Sequence, residues 1–298
     1  MSDFPNDKTA PSNASENTRS FPILYRLAKQ VNRVGRRFGF EVRRFHAPAA
    51  RGFENWWSYA ILLETAWRRR SGPPAEFESG FVDYCVAHHA ESAAQVFQDL
   101  LALFVFGEKG GGFFVEFGAT DGISFNNTYL LERKYGWHGI LAEPARGWQS
   151  ALRQNRHAAI ETRCVWARSG DTVEFNEPYA GELSTVDEYS GRDRYAGQRS
   201  AGKHYSVETI SLNDLLKRHD APHRIDYLSI DTEGSEFNIL SNFDFTAHEI
   251  ALVTVEHAYV ERDRANIAAL MQRNGFDRIL EPYSLFDDWY VNRRLVSA

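Results

Sequence analysis

From Phe113 onward, short apolar segments that end in glycine or an acid alternate with stretches of helical length. FFVEF (113–117) reads as a first strand, with a helix due near Asn126. GILAE (139–143) is a second strand, followed by a helix from about Gly147, and IETRCVW (160–166) is a third. SLNDLLKRH (211–219) opens like a capped helix, and IDYLSID (225–231) is a fourth strand with a helix after Gly234. IALVTVEH (250–257) is a fifth, leading to a helix that ends at Asn274 and Gly275, and FDRIL and Trp289–Leu295 supply late strands. Such alternation predicts an α/β fold with a mostly parallel sheet and helices on both faces.

The region before this alternation reads differently. Residues 1–20 are polar and rich in Ser, Asn and Pro, the composition of a disordered tail. Residues 21–111 read as a helical extension. Leu24, Leu27, Val31, Val34 and Phe38 recur at helical spacing opposite Arg26, Lys29, Arg33, Arg36 and Arg37. That basic face suits either solvent or the anionic surface of a membrane, as a peripheral contact. A single long helix is expected over about Val82–Phe106, and GEKGGG (107–112) marks the boundary to the main domain, 112–298. Trp56, Trp57 and Trp67 lie in the same extension.

Charge bounds the function. The formal net charge of −6 argues against a dedicated nucleic-acid binder. Residues 1–70 carry 13 Lys/Arg against 6 Asp/Glu, a net of +7 that leaves −13 for the remainder. The two cysteines, Cys85 and Cys164, form neither a disulfide framework nor a C-x-x-C pair, which fits a reducing, cytoplasmic setting at most adjoining the inner membrane face. Cys164 reads as a small core residue, and His88, His89 and His204 have no ligand-spaced partners.

In an open parallel sheet, ligands sit at the carboxyl ends of the strands. Acids crowd those ends: Glu116 and Asp121 around the first, Glu143-Pro144 at the second, Asp231 and Glu233 at the fourth, Glu256-His257 at the fifth. A buried lone carboxylate such as Glu116 requires a partner. The dinucleotide fingerprint would need glycine at Gly118, Thr120 and Ile123, and two of the three are missing. Asp121 would also repel a pyrophosphate, which argues against a nicotinamide oxidoreductase. Glu143, 21 residues after Gly122, suits ribose hydroxyls. A ligand with a ribose, a cation and no phosphate fits, and S-adenosylmethionine is one. On this reading Glu116 and Asp121 face its cationic methionine end.

VEFGATDGISFNNTYLLE, GWHGILAEP and YLSIDTEGSEFNIL, three segments in order, resemble the FkbM-type methyltransferases over roughly Gly112–Leu295. The resemblance implies a Rossmann-like class I methyltransferase fold with a seven-stranded sheet. It also implies O-methylation of sugars, glycans, glycolipids or natural products with S-adenosylmethionine. It carries the cofactor-binding positions onto Glu116, Gly118, Thr120, Asp121, Gly122, Glu143 and Pro144. Asn127 would close over the methionine part, Val165 and Trp166 would flank the adenine, and Asp231, Glu233 and Gly234 would stand beside the reacting centre.

An alcohol acceptor needs a base or a metal. Either His257 or Asp231 is the general base, or Asp231, Glu256 and His257 hold a divalent ion such as Mg²⁺. Glu256-His257 also reads as a structural pair, and Glu236 as a first-turn carboxylate. The polar stretch Glu177–Tyr205 is either a surface loop or an acceptor-binding lid. In the lid reading Tyr189 and Tyr195 stack on sugar faces and Arg192, Arg194, Arg199 and Lys203 clamp hydroxyls or acids. Methylation of a nitrogen or a protein side chain, and non-catalytic cofactor binding, are the other readings.

Overall fold

The computed structural model describes residues 75–296. The expected tail, the basic helix over 21–38 and the three early tryptophans lie outside them. The described chain begins with helices α1 (Glu76–His88) and α2 (Gln98–Val105). Strand β1 (Phe113–Phe117), helix α3 (Tyr129–Tyr135), β2 (His138–Ala142), α4 (Gln149–Asn155) and β3 (Ala159–Glu161) follow. Next come β4 (Cys164–Trp166), β5 (Thr172–Glu177), β6 (Thr185–Val186), the one-turn helix α5 (Ala196–Arg199) and β7 (Lys203–Ser211). The chain then runs through α6 (Leu212–Arg218), β8 (Arg224–Ile230), α7 (Glu236–Ser241), β9 (Glu249–Glu256), α8 (Glu261–Arg273), β10 (Phe276–Ile279) and β11 (Asp287–Asn292).

Seven strands form one sheet in the order β10-β11-β9-β8-β1-β2-β3. Every pair from β9 to β3 is parallel, and β11 enters antiparallel between β9 and β10. The order of connection reverses between β1 and β8, so a crevice opens at the carboxyl ends of those two strands. This is the Rossmann-like class I methyltransferase arrangement. Side chains alternate across it. Phe114, Leu141, Tyr227, Leu252 and Trp289 face a core shared with α1 and α2, whereas Val115, Ile140, Leu228, Val253 and Tyr290 face a second core with residues of α6, α7 and α8. A smaller sheet, β4-β7-β5-β6, stands apart from the large one.

Two expectations change. The run over 82–106 is two helices, because Phe97 takes a left-handed φ of 67°. Asp99 drives that break: its carboxylate accepts from Ser92 Oγ (2.6 Å) and from the Ala93 and Ala94 amides, competing with helical pairing. The segment 160–166 is likewise two strands in two sheets. Glu161 accepts from the backbone N–H of Thr162 and Arg163 (3.0 Å each), turning the chain out of the large sheet before β4. Ser211 caps α6 as anticipated, accepting from Asp214 N.

Helix α1 shares the sheet's core: the Phe81 ring meets Trp289 edge-on, centroids 5.7 Å apart. Phe81→Ala is therefore expected to cost about 3–5 kcal/mol of global stability, read as a lower urea midpoint with a single transition retained. A separate early transition with an unshifted main one would show instead that α1 folds apart from the sheet.

Candidate functional site

The site begins with a close approach. Gly118 has φ +78°, and a Cβ there would lie 2.1 Å from the Asp231 carbonyl oxygen. Only glycine lets the loops after β1 and β8 pass so closely. The next turn is tied to β2. Glu143, at the end of β2, accepts from Thr120 N and from Ala145 N at 2.8 Å each. Burial pushes its carboxyl up to about 7, opposed by those two N–H groups.

Glu116 faces the other way, into the protein. It accepts from Thr128 Oγ1 (2.5 Å) and Asn127 N (2.8 Å), and its oxygen lies 4.0 Å from Arg156 Nη1. The expected contact with a cationic ligand is thus replaced by an internal cation, because Glu116 shares the face of Phe114 that α3 and α4 cover. Arg156 also holds Glu132 and Asn126, at 2.9 and 2.7 Å. Asp121 is spent locally: Oδ1 accepts from Ile123 N and Ser124 N at 2.8 and 2.7 Å. At Gly122 (φ +82°) a Cβ would meet the Arg156 side chain at 2.6 Å. Asn127 donates to Ser229 Oγ at 2.9 Å. These residues support the loop from behind.

A cavity of about 270 Å³ opens in front of it. Gly118, Thr120, Glu143, Pro144, Cys164 and Val165 form one side, and Asp231, Glu233 and Glu256 form an acidic floor. Trp166 is absent from its wall and packs edge-on against Tyr189 instead, centroids 5.9 Å apart. Cys164, read as plain core, is buried yet lines the cavity. Gln95 and Phe286 also line it, from segments far apart in sequence and with no sequence signal of their own.

One oxygen from each of Asp231, Glu233 and Glu256 lies within 4.8 Å of the others. Two like charges this close favour a single proton held between Asp231 and Glu256. Burial raises both carboxyls, and repulsion by Asp231 and Glu233 raises Glu256 further. The Glu256 Oε2 atom is buried without a hydrogen-bond partner. Glu233, with φ 58°, is raised by burial first and by Asp231 second. Its counter-ion is Arg199, a fully buried guanidinium that donates to Glu233 Oε2 (2.5 Å), Asp193 Oδ1 (2.7 Å) and the Leu183 carbonyl (2.8 Å). Arg199 is therefore an internal ion, not the exposed clamp its position suggested. Thr185 Oγ1 donates to the Glu233 carbonyl at 2.9 Å, and Glu236 accepts from the Thr232 and Gly234 amides, so the Asp231–Gly234 loop is held from both sides.

His257 does not join the acids. Being next to Glu256 at the end of an extended strand, it points to the opposite face. Its Nδ1 accepts from Tyr259 N at 3.1 Å, so its Nε2 carries the proton and donates to the Asp287 carbonyl at 3.2 Å. Burial holds its pKa down, leaving a neutral ring committed to two backbone groups. Glu233 takes the place in the carboxylate cluster that the sequence reading gave to His257.

A family model for the methyltransferase FkbM domain matches residues 116–278, more than half of the chain. No curated protein matches the sequence significantly. Among solved structures, the O-methyltransferase from Bacillus cereus, in complex with SAH, is 11% identical, covering 80% of this chain and 98% of its own with a TM-score of 0.37. A chain from a complex of the Haloferax volcanii Trm112 methyltransferase activator is 8% identical, covering 74% and 99%, with a TM-score of 0.33.

The Glu143 environment has a pH signature. The folded carboxyl keeps its proton up to about 7, whereas the unfolded chain releases it near 4.5. Folding stability from this group therefore falls as pH rises between those values and levels off above them. Glu143→Gln is expected to flatten the decline in melting temperature between pH 5 and pH 8, relative to the parent protein. An identical slope in both would overturn the assignment.

Proposed function

The chain belongs to the FkbM methyltransferase family, and we propose that it uses S-adenosylmethionine to methylate a hydroxyl group of a sugar, glycan or natural product. The observation that carries this reading is the Asp231–Glu256 pair. It is a partly buried, proton-sharing pair of carboxylates that faces the cavity at the crevice between β1 and β8.

The residues present fit the cofactor. Each Glu143 oxygen already accepts one N–H but retains a lone pair for a ribose hydroxyl. Cys164, Val165, Phe175 and Leu183 offer apolar wall for a base. The acidic floor suits a sulfonium, and Glu256 Oε2 lacks any internal partner. When bound, the cofactor supplies a methyl group already activated for displacement. The chain's part is alignment, worth about 7–11 kcal/mol at the upper end, and proton removal.

Asp231 is the residue to take the acceptor's hydroxyl proton. Its carboxyl is raised by burial, and Glu256, raised further by the neighbouring acids, is the member of the pair to carry the proton. Gly118 brings the β1 loop against the Asp231 backbone and so fixes where this base stands. A divalent ion on the same oxygens would have to displace both the shared proton and the Arg199–Glu233 ion pair, which favours the metal-free base. Methylation of an amine needs no such base.

Asp231→Asn is expected to lower labelled methyl transfer to cell-envelope glycans by about 10²–10⁴-fold, while S-adenosylhomocysteine still binds within a few-fold by calorimetry. Full rate in this variant would favour a nitrogen acceptor. Pre-incubation with EDTA is expected to leave turnover unchanged; loss of activity restored by Mg²⁺ would replace the base with a metal.

A further inference from the structure

Arg194 is an exposed cation on the wall of the same cavity. Its guanidinium carbon lies 4.8 Å from the Tyr195 ring centroid and 5.1 Å from that of Tyr259, and Nη2 donates to Tyr195 Oη at 2.6 Å. Two aromatic faces thus fix the guanidinium at the cavity wall. Its neighbours in the chain are already satisfied: Arg192 pairs with Glu188 at 2.9 Å, and Arg199 with Asp193 and Glu233. Among the described residues no carboxylate pairs with Arg194, so most of its five N–H donors are open to a ligand.

The floor below does not repel an anion as strongly as three acids suggest. Arg199 balances Glu233, and the closeness of Asp231 to Glu256 favours one proton between them. A guanidinium oriented by ring stacking is suited to two-pronged binding of a carboxylate or phosphate.

We propose that Arg194 is an anion-binding subsite for the acceptor. The methyl-accepting molecule carries a carboxylate or a phosphate ester, which Arg194 receives while a hydroxyl elsewhere on the same molecule meets Asp231. This rests on the hydroxyl-methylation reading above and adds the charge class of the substrate. It also opposes an amine acceptor, whose cation would be repelled at this wall.

D-glucuronate, D-glucose 6-phosphate and D-glucose are the probes, titrated by ligand-observed NMR at low salt into protein with and without saturating S-adenosylhomocysteine. One or both anionic sugars are expected to bind at least tenfold more tightly than glucose, and which one does so separates carboxylate from phosphate. Arg194→Ala is expected to bring them to parity, Arg194→Lys to keep part of the preference, and Arg192→Ala to change nothing. S-adenosylhomocysteine affinity is expected to be the same in all four proteins. The subsite is overturned by equal or undetectable binding of charged and neutral sugars, or by a preference that survives Arg194→Ala. A matching loss of S-adenosylhomocysteine affinity in Arg194→Ala also overturns it, since Arg194 would then hold the cofactor's own carboxylate. Failure of S-adenosylhomocysteine to bind the parent protein would overturn the methyltransferase reading itself, while the sugar titrations without it still decide the subsite.

Discussion

The site depends on the passage of the Asp231 carbonyl across Gly118, so close that a Cβ at Gly118 would sit 2.1 Å from it. That contact lies where the strand order reverses, and it sets the separation of the β1 and β8 loops. Glu143 ties the β1 loop to β2 through the Thr120 amide. The β1 and β8 loops on one side of the cavity are thus held by close backbone packing and by a buried carboxylate. A site built on strand ends in this way holds its geometry before any ligand arrives, which is what displacement chemistry governed by alignment requires.

Buried charge is handled in two different ways on the two sides of the β1 loop. Behind it, Arg156 lies against Glu116 and pairs with Glu132, with Thr128 and Asn126 using the remaining donors. One guanidinium there serves two carboxylates, and removing it would strand both. In front of it, the Asp231, Glu233 and Glu256 carboxylates have, among the described residues, Arg199 as their one paired cation. Burial and mutual repulsion there favour a proton held between Asp231 and Glu256. The first arrangement stiffens a loop, and the second leaves a carboxylate able to accept a proton at the cavity surface.

Much of this was legible in the sequence, and the failures have physical causes. The ends of β1, β2, β8 and β9 were read within about a residue because apolar runs of β-branched and aromatic side chains bounded by Gly and acids have few alternatives. Acids at the ends of β1, β2, β8 and β9 pointed to the rim of the sheet where the cavity opens. Which acid faces the cavity was not legible for Glu116, since its orientation depends on Arg156, a residue 40 positions later. His257 was misread because adjacency to Glu256 in sequence means opposite faces in a strand. The breaks at Phe97 and Glu161 arise from side chains bonding to nearby amides, which periodicity does not register.

Arg199 links the two halves of the site. It lies in the segment between β6 and β7, yet its guanidinium ends on Glu233 beside Asp231, and Thr185 of β6 grips the Glu233 carbonyl. Tyr189 covers Gly234, where a Cβ would meet its ring at 2.9 Å. The segment that forms the far wall of the cavity is therefore bonded to the loop that carries the base. The position of that wall therefore fixes where Glu233 stands beside Asp231. A buried ion pair thus joins the wall proposed to receive the acceptor to the loop that carries Asp231, the base proposed above.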